Sequence, residues 1–320
     1  MPIFKLISKK IIYSLVFIFL IFLILVISYS IAPLDFPQRK IVSIKPGQYL
    51  SQVADDFEKK GIIKSAFLFK IYVVAYSGHK QVQAGDYLFD KPQSALKIAS
   101  RVINGEQGLP KYKITIIEGM TARQIGNLIK KSIPEFDADT FFVLAKSYEG
   151  YLFPDTYYIY ENATPDNVLL QLRNTFKEKI KTQLLAIQAL GKTMDDVITM
   201  ASIVEKEATK MEDRKIIAGI LWKRLEIGMP LQVDPPFYYT LGKDSLSLTT
   251  TDLRTDTPYN TYTNKGLPPT PIGNPGLSAI EATVNPTKSK YLFYLSDKSG
   301  TMHYAVDHDG HVANKYKYLK

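Results

Sequence analysis

An uncharged apolar run near the N-terminus constrains this chain more than any other feature of its sequence. From Ile11 to Ala32 the side chains are mostly aliphatic or aromatic, and none is charged. This length slightly exceeds the ~20 residues that a helix needs to cross the hydrocarbon layer of a bilayer. The residues before the run are basic and not acidic, with lysines at Lys5, Lys9 and Lys10. Since a positive flank favours the cytoplasmic side, we expect one membrane-spanning helix, residues 1–10 in the cytoplasm and the bulk of the chain outside.

A cleaved signal peptide is the main alternative for this run. Its apolar region would be ~7–15 residues long, which is shorter than the run seen here. Ser30-Ile31-Ala32 resembles a small-x-small cleavage site, but Pro33 follows directly and is a poor context for cleavage. A buried core helix is a further alternative, although such helices seldom run this long without a polar face. We therefore expect an uncleaved, single-pass anchor in the cytoplasmic (inner) membrane.

The chain of 320 residues has no cysteine and a formal net charge of +9. A chain of this size buries a sufficient core without disulfides. The lack of cysteine therefore does not distinguish an oxidising compartment from a reducing one. Outside the cytoplasm, a basic protein can bind anionic lipid headgroups or an anionic wall polymer, whereas nucleic acid is a poor candidate there. The lysines are scattered rather than clustered, so a generally soluble basic surface explains the charge equally well.

Two segments repeat one local pattern at a constant offset. The first covers residues 42–54 and the second residues 114–126. Each begins with a short alternating strand, continues through a turn that contains glycine and enters an amphipathic helix. This indicates an internal duplication or a recurring β-turn-α unit. Residues 33–40, which precede the first copy and contain proline, are predicted to be a linker.

The first copy continues in an order that resembles the LysM module, a small βααβ unit that binds N-acetylglucosamine polymers. After its helix come a break, a second helical run over 64–76 and a strand-like segment at 82–88. A generic βαα unit without sugar binding is the alternative. We assign residues 41–110 to a LysM-like module and residues 111–163 to a second βα module.

Residues 164–320 are predicted to form a mixed α+β domain, and α+β is the fold class expected for the whole chain after the membrane helix. Its predicted helices lie at about 164–192, 194–209 and 215–228, and its predicted strands at 291–296 and 303–306. Between them, residues 231–286 are rich in proline, asparagine and tyrosine.

The helix predicted at 194–209 carries two glutamates at the edges of its apolar face. With ~100° per residue, Glu205 and Glu207 lie on opposite sides of a stripe that includes Ala201 and Val204. A carboxyl group partly removed from water has a raised pKa and can stay protonated near neutral pH as a general acid. Residues at i and i+2 do not face each other, so the two are not the ~5 Å carboxylate pair of a retaining glycosidase. Either glutamate fits this pattern, and a solvated Glu-Lys-Glu turn is the alternative.

Five motifs, in order, resemble the endolytic transglycosylase family of bacterial peptidoglycan enzymes (MltG/YceG-like). They are EGYLFPDTYY at 149–158; ASIVEKEA at 201–208; RL at 224–225 with GM at 228–229 and LQVDP at 231–235; PYNTY at 258–262; and GLPP, PI and NPG within 266–276 with NP at 285–286. The resemblance runs from the anchor to the C-terminus. Two positions depart from the family pattern: Pro236 replaces a small hydroxyl residue, and Lys223 replaces an asparagine.

The resemblance implies endolytic cleavage between N-acetylmuramic acid and N-acetylglucosamine in nascent strands, which terminates glycan elongation and leaves a 1,6-anhydro-muramyl end. One glutamate protonates the glycosidic oxygen and then takes the proton of the sugar's own C6 hydroxyl, so no water is needed. The arrangement Ala201-x-x-Val204-x-x-Glu207-Ala208 also resembles a stretch of spore-cortex lytic enzymes whose glutamate is the proposed acid. On these resemblances, we assign the catalytic role to Glu207, with Glu205 as the alternative.

Five further residues are expected to bind the sugar. Gln232 and Asp234 lie in a proline-bounded loop and suit hydrogen bonds to a hydroxyl or N-acetyl group, with loop capping as the alternative. Tyr259, Asn260 and Tyr262 combine rings that stack on sugar faces with an amide that suits the acetamido group. Aromatic packing beneath a loop is the alternative for the two tyrosines.

No cofactor or metal is expected. His303, His308 and His311 suggest a metal site, but their spacing lacks a HExxH-type helix and no cysteine assists. The expected partners are peptidoglycan strands and the membrane, with peptidoglycan synthases as further candidates and no nucleic acid. A muramidase-type hydrolase, in which Asp234 places a water molecule, and a non-catalytic wall-binding scaffold are the alternative functions.

Overall fold

The computed structural model describes residues 9–77, 82–243 and 247–319. The chain divides into two compact units, Met1–Pro110 and Lys111–Lys320. Helices predominate, and the strands of the described residues pair into two-stranded antiparallel sheets. The α+β class predicted from the sequence is confirmed.

In the first unit, two helices lie between two strands in chain order. In chain order, its elements are α1 Lys9–Ser30, β1 Lys40–Ile44, α2 Leu50–Lys59, α3 Ala66–Ser77, β2 Gly85–Phe89 and α4 Ala95–Asn104. β1 and β2 pair antiparallel, with Val42 opposite Tyr87. Phe57 lies at the centre of the core, with its ring 5.6 Å from that of Phe69 and 5.7 Å from that of Phe89.

Among the described residues, α1 is the helix that is long and apolar enough to cross a membrane. Its stretch Ile11–Ser30 has a mean hydropathy of 3.1, and none of it is buried within the protein. The residues that follow α1 contact the first unit: Ala32 packs against its core, and Phe36 is buried in that core. The segment predicted as a linker is therefore partly anchored to the folded unit.

The repeated β-turn-α pattern is present in the structure of each copy. Gly47 and Gly119 follow the two strands with φ angles of 79° and 74°, a left-handed conformation that glycine adopts without steric cost. Helix α2 and the helix Ala122–Ser132 then begin in the same way: the side chain of Gln52 or Gln124 accepts a hydrogen bond from the backbone N–H three residues earlier. Such capping fixes the first residue of a helix.

The second unit carries the larger set of elements. They are β3 Lys111–Thr115, α5 Ala122–Ser132, α6 Ala138–Ala145, β4 Thr156–Tyr160, α7 Pro165–Ile180, α8 Leu184–Leu190, α9 Met194–Glu207, α10 Met211–Glu226, α11 Pro235–Leu241, α12 Thr250–Arg254, α13 Leu277–Val284, β5 Phe293–Ser296, β6 Met302–Ala305 and α14 His308–Tyr318. β3 pairs with β4 and β5 with β6, both antiparallel.

The aromatic motif at 149–158 ends in strand β4, in which Tyr157 and Ile159 point inward while Tyr158 is exposed. One element differs from the sequence-based expectation. The helix expected over 164–192 is split into α7 and α8 by the 3₁₀ turn Lys181–Gln183.

Helix α9 lies at the centre of the second unit. Every residue from 197 to 204 is buried, because α10, α11 and α13 all pack against it. The sequence pattern predicted a single apolar stripe with two polar edges, whereas the helix is enclosed on several sides. A helix held in this way offers a rigid position for side chains at its end.

At Gly219, α10 closely approaches the chain that follows α13. A Cβ atom at this position would lie 2.2 Å from the carbonyl oxygen of Thr287. The Thr287 backbone N–H in turn donates to the carbonyl oxygen of Lys215 at 2.9 Å. The glycine therefore allows two backbones to meet.

We predict that Gly219→Ala lowers the free energy of unfolding by about 1–3 kcal/mol, the usual cost of overpacking, although alanine favours helix formation by ~1 kcal/mol. Denaturant unfolding in detergent measures it. The matched control is Glu226→Ala at the exposed end of the same helix, which should change stability by no more than ~0.5 kcal/mol. A Gly219→Ala protein as stable as the parent would contradict the packing described here.

Candidate active site

Helix α9 ends at the residue assigned from the sequence as the catalytic acid. Its start is fixed by Thr193, whose Oγ1 accepts a hydrogen bond from the Asp196 backbone N–H at 3.1 Å. Glu207 is the last helical residue, and Ala208 continues in an extended conformation. The C-terminal end of a helix carries partial negative charge, so this position disfavours an ionised carboxylate.

Glu207 lies in a cavity of about 810 Å³ in the second unit. The loop after α10, strands β5 and β6, and helix α14 contribute its walls. Its lining includes the cations Lys206, Arg224, Lys243 and Lys315 and the imidazole rings of His308 and His311. These groups surround the carboxyl groups of Glu207 and Asp234, so the cavity suits an anionic or strongly polar ligand.

Burial raises the pKa of Glu207 from 4.5 to about 7. The nearby carboxylate of Asp234 acts in the same direction, because two negative charges repel each other. A hydrogen bond from the Tyr294 hydroxyl and the positive charge of Arg224 favour the ionised form instead. Both forms of Glu207 are therefore populated near neutral pH, which suits a group that acts first as an acid and then as a base.

Arg224 is held rigidly beside Glu207. Its side chain is buried, and its Nε donates to the carbonyl oxygen of Leu292 at 2.8 Å. A second guanidinium nitrogen donates to the carbonyl oxygen of Leu231, and the group lies 5.2 Å from the ring centre of Phe293. Arg224 thus joins α10 to β5 and to the loop that carries Gln232.

Gln232, Asp234 and Tyr262 line the cavity together with Glu207. The Tyr262 hydroxyl donates to Asp234 Oδ1 at 2.6 Å. The backbone N–H of Gln232 donates to the carbonyl oxygen of Thr261 at 2.9 Å, which joins the two loops. Gln232 has a φ of 49°, a left-handed conformation that costs a non-glycine residue about 1 kcal/mol or more. Its side chain is exposed on the cavity side.

Tyr259 and Asn260 lie behind the cavity wall rather than in its lining. Asn260 is fully buried. Its amide donates to the carbonyl oxygen of Thr255 at 2.8 Å, and its Oδ1 accepts from the Tyr262 backbone N–H at 2.9 Å. The Tyr259 hydroxyl is 2.8 Å from Thr270 Oγ1. Both residues therefore shape the loop that presents Tyr262.

Glu205 does not line the cavity, and its side chain is only 5% exposed. It forms an ion pair with Arg214 of α10, and its Oε2 accepts the Gly276 backbone N–H at 2.9 Å. Burial raises the pKa of Glu205, while Gly276 and Arg214 favour its charged form. Arg214 Nε also donates to the carbonyl oxygen of Ala208 at 2.8 Å. Glu205 thus joins α9 to α10 and to the start of α13.

The loop at 266–276 is fixed by groups from two other motifs. Ser202 of α9 accepts the Ile272 backbone N–H at 3.0 Å. Asn274 is fully buried; its Oδ1 accepts from the Leu152 N–H at 2.8 Å, and its Nδ2 donates to Glu149 at 2.8 Å. Burial raises the pKa of Glu149 to about 7, but this carboxyl group is enclosed and does not line the cavity. Its role in the structure is to hold the loop.

The three histidines occupy separate environments. His303 Nε2 lies 2.8 Å from Asp297 Oδ2 and its ring stacks on Tyr318. His308 and His311 lie on α14 and line the cavity. Within the described ranges, no group of three His, Cys, Asp or Glu side chains is arranged to hold a metal ion.

Three parts of the cavity are not singled out by the sequence pattern. Arg224 stands in a family motif without a sign of its role, and Tyr294 is one of several aromatic residues in a predicted strand. Helix α14 follows the last predicted strand, and its low apolar content gives no strong periodic signal. Its acidic cap Asp307, which accepts the Gly310 backbone N–H at 2.8 Å, is the one signal that could have found it.

The two glutamates of α9 should respond oppositely to substitution by glutamine. Glu205→Gln leaves Arg214 buried without its counter-charge, and we expect a loss of about 3 kcal/mol in the free energy of unfolding. Glu207→Gln removes a carboxyl group whose ionisation is disfavoured, so stability should be unchanged or higher. Because the pKa of Glu207 is raised in the folded state, its ionisation costs nothing below pH 4.5 and the full amount above about 7. The gain from Glu207→Gln should therefore grow across that window.

Denaturant unfolding of both variants at several pH values measures these effects. Equal destabilisation by the two substitutions, or a Glu207→Gln effect that is independent of pH, would contradict the assignment of roles.

The comparisons with known proteins agree on one family. The model of the YceG-like family matches residues 42–317. The endolytic murein transglycosylase of Bacillus subtilis (strain 168) is 32% identical over 308 residues, which cover 87% of this chain and 84% of that protein. The protein of the same name from Streptococcus pneumoniae serotype 2 (strain D39 / NCTC 7466) is 30% identical over 331 residues and 89% of this chain. The match covers 60% of the pneumococcal protein's own length.

A solved structure supports the same grouping. The crystal structure of a putative YceG-like protein from Listeria monocytogenes is 29% identical and has a TM-score of 0.59. The match covers 86% of this chain and 99% of the Listeria chain. Because the family model spans most of the sequence, including Glu207 and Asp234, this chain belongs to the YceG-like family.

Proposed function

We propose that this chain is a membrane-anchored endolytic murein transglycosylase. It cleaves the bond between N-acetylmuramic acid and N-acetylglucosamine in nascent peptidoglycan strands, leaves 1,6-anhydro-muramyl ends and so terminates glycan elongation. The observation that carries the proposal is Glu207, a carboxyl group whose pKa is raised to about 7 in an open cavity. The names of the Bacillus and pneumococcal relatives support the same reaction class.

In the proposed reaction, Glu207 serves as both acid and base. Its protonated form gives a proton to the glycosidic oxygen as the bond from that oxygen to C1 of muramic acid breaks. The carboxylate then takes the proton of the C6 hydroxyl of the same sugar, whose oxygen forms the new bond to C1. One C–O bond forms for each that breaks, and the acid is regenerated without water. A pKa near the working pH suits both steps.

The other cavity residues are proposed to bind the sugar around the broken bond. The carboxylate of Asp234, held by the Tyr262 hydroxyl, stabilises positive charge that develops at C1. The exposed amide of Gln232 binds a hydroxyl or N-acetyl group. Tyr259 and Asn260 contribute indirectly, by ordering the loop that carries Tyr262.

The shape and charge of the surroundings favour an extended anionic substrate. A second groove of about 670 Å³ adjoins the cavity and shares Lys206 and Tyr238 with it. A polymer can continue from one into the other. The cations of the cavity suit the carboxylates of the peptide stems that muramic acid carries. No cofactor takes part in the proposed reaction.

The first unit is proposed to hold the enzyme near its substrate. Helix α1 crosses the cytoplasmic membrane once, with the lysine-bearing N-terminus in the cytoplasm and both folded units outside. The βααβ order of β1, α2, α3 and β2, with its antiparallel strand pair, supports a LysM-like module that binds the same glycan. Peptidoglycan synthases are the proposed protein partners.

Hydrolysis by a muramidase-type mechanism is the second candidate, and one observation favours it. The carboxylate of Asp234 is close enough to Glu207 to raise its pKa, and an opposed carboxylate can position a water molecule. Mass spectrometry of the digested glycan separates the two reactions. Anhydro-muramyl ends support transglycosylation. Reducing muramic acid ends would show that the enzyme hydrolyses the bond instead.

We predict that Glu207→Gln lowers kcat at least ~100-fold, the scale on which loss of a general acid acts, while glycan binding is retained. Release of soluble fragments from purified glycan strands measures it. Glu212→Gln, an exposed carboxyl group on α10, is the matched control and should cleave like the parent. A Glu207→Gln protein that cleaves like the parent would rule out Glu207 as the acid; if neither cleaves but both bind glycan, a non-catalytic scaffold is the better description.

The rate of cleavage should fall as pH rises above about 7. Bond breaking requires protonated Glu207, so kcat/KM should decline about tenfold per pH unit on the alkaline side. Fragment release measured between roughly pH 5 and 9 tests this against the titration range of the group. A profile that stays flat through the alkaline half, in a protein shown by circular dichroism to remain folded, would contradict the role of Glu207 as a protonated acid.

A further inference from the structure

An exposed apolar stripe runs along α3 of the first unit. Phe67, Ile71 and Val74 are 68%, 44% and 65% exposed. Their spacing of i, i+4 and i+7 places them on one face of the helix, over a length of ~10 Å at 1.5 Å per residue. Phe69 and Val73 occupy the opposite, buried face. The outward face of a helix on a soluble domain is normally polar, so this stripe calls for an apolar neighbour.

Helix α3, which carries the stripe, is held beside the end of α1. The Tyr72 hydroxyl on α3 is hydrogen-bonded to Ser30 Oγ, and Lys64 Nζ donates to the carbonyl oxygen of Ser28 at 3.0 Å. A few residues after α1, Phe36 enters the same core as α3, where its ring lies 6.2 Å from that of Phe89. The end of the apolar helix is therefore joined to the folded unit at several points.

Two more exposed apolar side chains follow α1 directly. Ile31 is 53% exposed and Leu34 is fully exposed. Together with the stripe they form what we call the juxtamembrane patch: Ile31, Leu34, Phe67, Ile71 and Val74. Single exposed apolar residues are ordinary on a protein surface, but a group of this size around the end of an apolar helix is not explained in that way.

We propose that the juxtamembrane patch lies in the bilayer surface and gives the first unit a second contact with lipid. This inference rests on the proposed anchoring of α1. Lipid is favoured over a protein partner because the patch continues from a helix whose stretch Ile11–Ser30 is strongly apolar and has no buried residue. Lys64 and Lys70 flank the stripe, where they suit anionic headgroups. Interfacial helices bury their apolar face ~5–10 Å into this boundary, so the contact fixes how the first unit is oriented on the membrane.

Single-cysteine labelling of the full chain tests the proposal, since the protein has no cysteine of its own. Ile71→Cys and Val74→Cys carry a nitroxide on the stripe. Leu96→Cys, 45% exposed on α4 of the same unit, is the matched control, and Leu20→Cys reports on α1. Each protein is reconstituted into vesicles of phosphatidylethanolamine and phosphatidylglycerol. Collisions are measured with oxygen, which partitions into lipid, and with a water-soluble nickel chelate.

The labels at 71 and 74 should show an oxygen-to-nickel accessibility ratio that is several-fold higher than the ratio at 96 and approaches the ratio at 20. Ratios at 71 and 74 equal to that at 96, with a lipid-exposed label at 20, would overturn the patch and leave the anchor standing. A low accessibility to both reagents at 71 and 74 would indicate a protein occupant, such as a second copy of the chain, and would also overturn it. A water-exposed label at 20 would overturn the anchor and the patch together.

Discussion

The surroundings of Glu207 set the conditions for everything else in the cavity. The carboxyl group stands at the last residue of α9, where burial and the negative end of the helix both disfavour its charge. Arg224 and Tyr294 offset part of this effect, and the balance leaves the pKa at about 7. Such a balance requires that each group stay in place, because the energies involved change steeply with distance in a partly dry site.

The rigidity comes from residues that do not line the cavity. Glu205 and Arg214 join α9 to α10, Ser202 fixes the loop at Ile272, and Asn274 joins that loop to the segment at 149–158. The family motifs therefore divide into two groups. Some residues face the cavity, as Glu207 and Asp234 do, and the others form the frame that holds them. The two glutamates of one helical turn fall in different groups because their neighbours differ, although both lie at an edge of the apolar face of α9.

The local features of this arrangement could be predicted from the sequence, whereas the features that depend on tertiary packing could not. The strand, glycine turn and capped helix of each repeat follow from local chemistry, so Gly47 and Gly119 could be placed correctly. Periodicity gave α9 its position but not its enclosure, which depends on helices distant in sequence. For the same reason, the burial of Asn260 and the approach of Tyr294 to Glu207 could not be read from their own segments. Helix α14 could not be predicted because its residues are largely polar and its position depends on tertiary packing.

The proposed reaction depends on a single protonated carboxyl group, and the proposed anchor keeps that group close to a membrane. The property to test is therefore the raised pKa of Glu207, which carbon-13 NMR of glutamate carboxyl groups measures directly. The resonance that disappears in Glu207→Gln identifies the residue and separates it from Glu149, whose pKa is also raised to about 7. The account predicts that this resonance titrates with a midpoint of about 7. A midpoint near the ordinary value of 4.5 would contradict it.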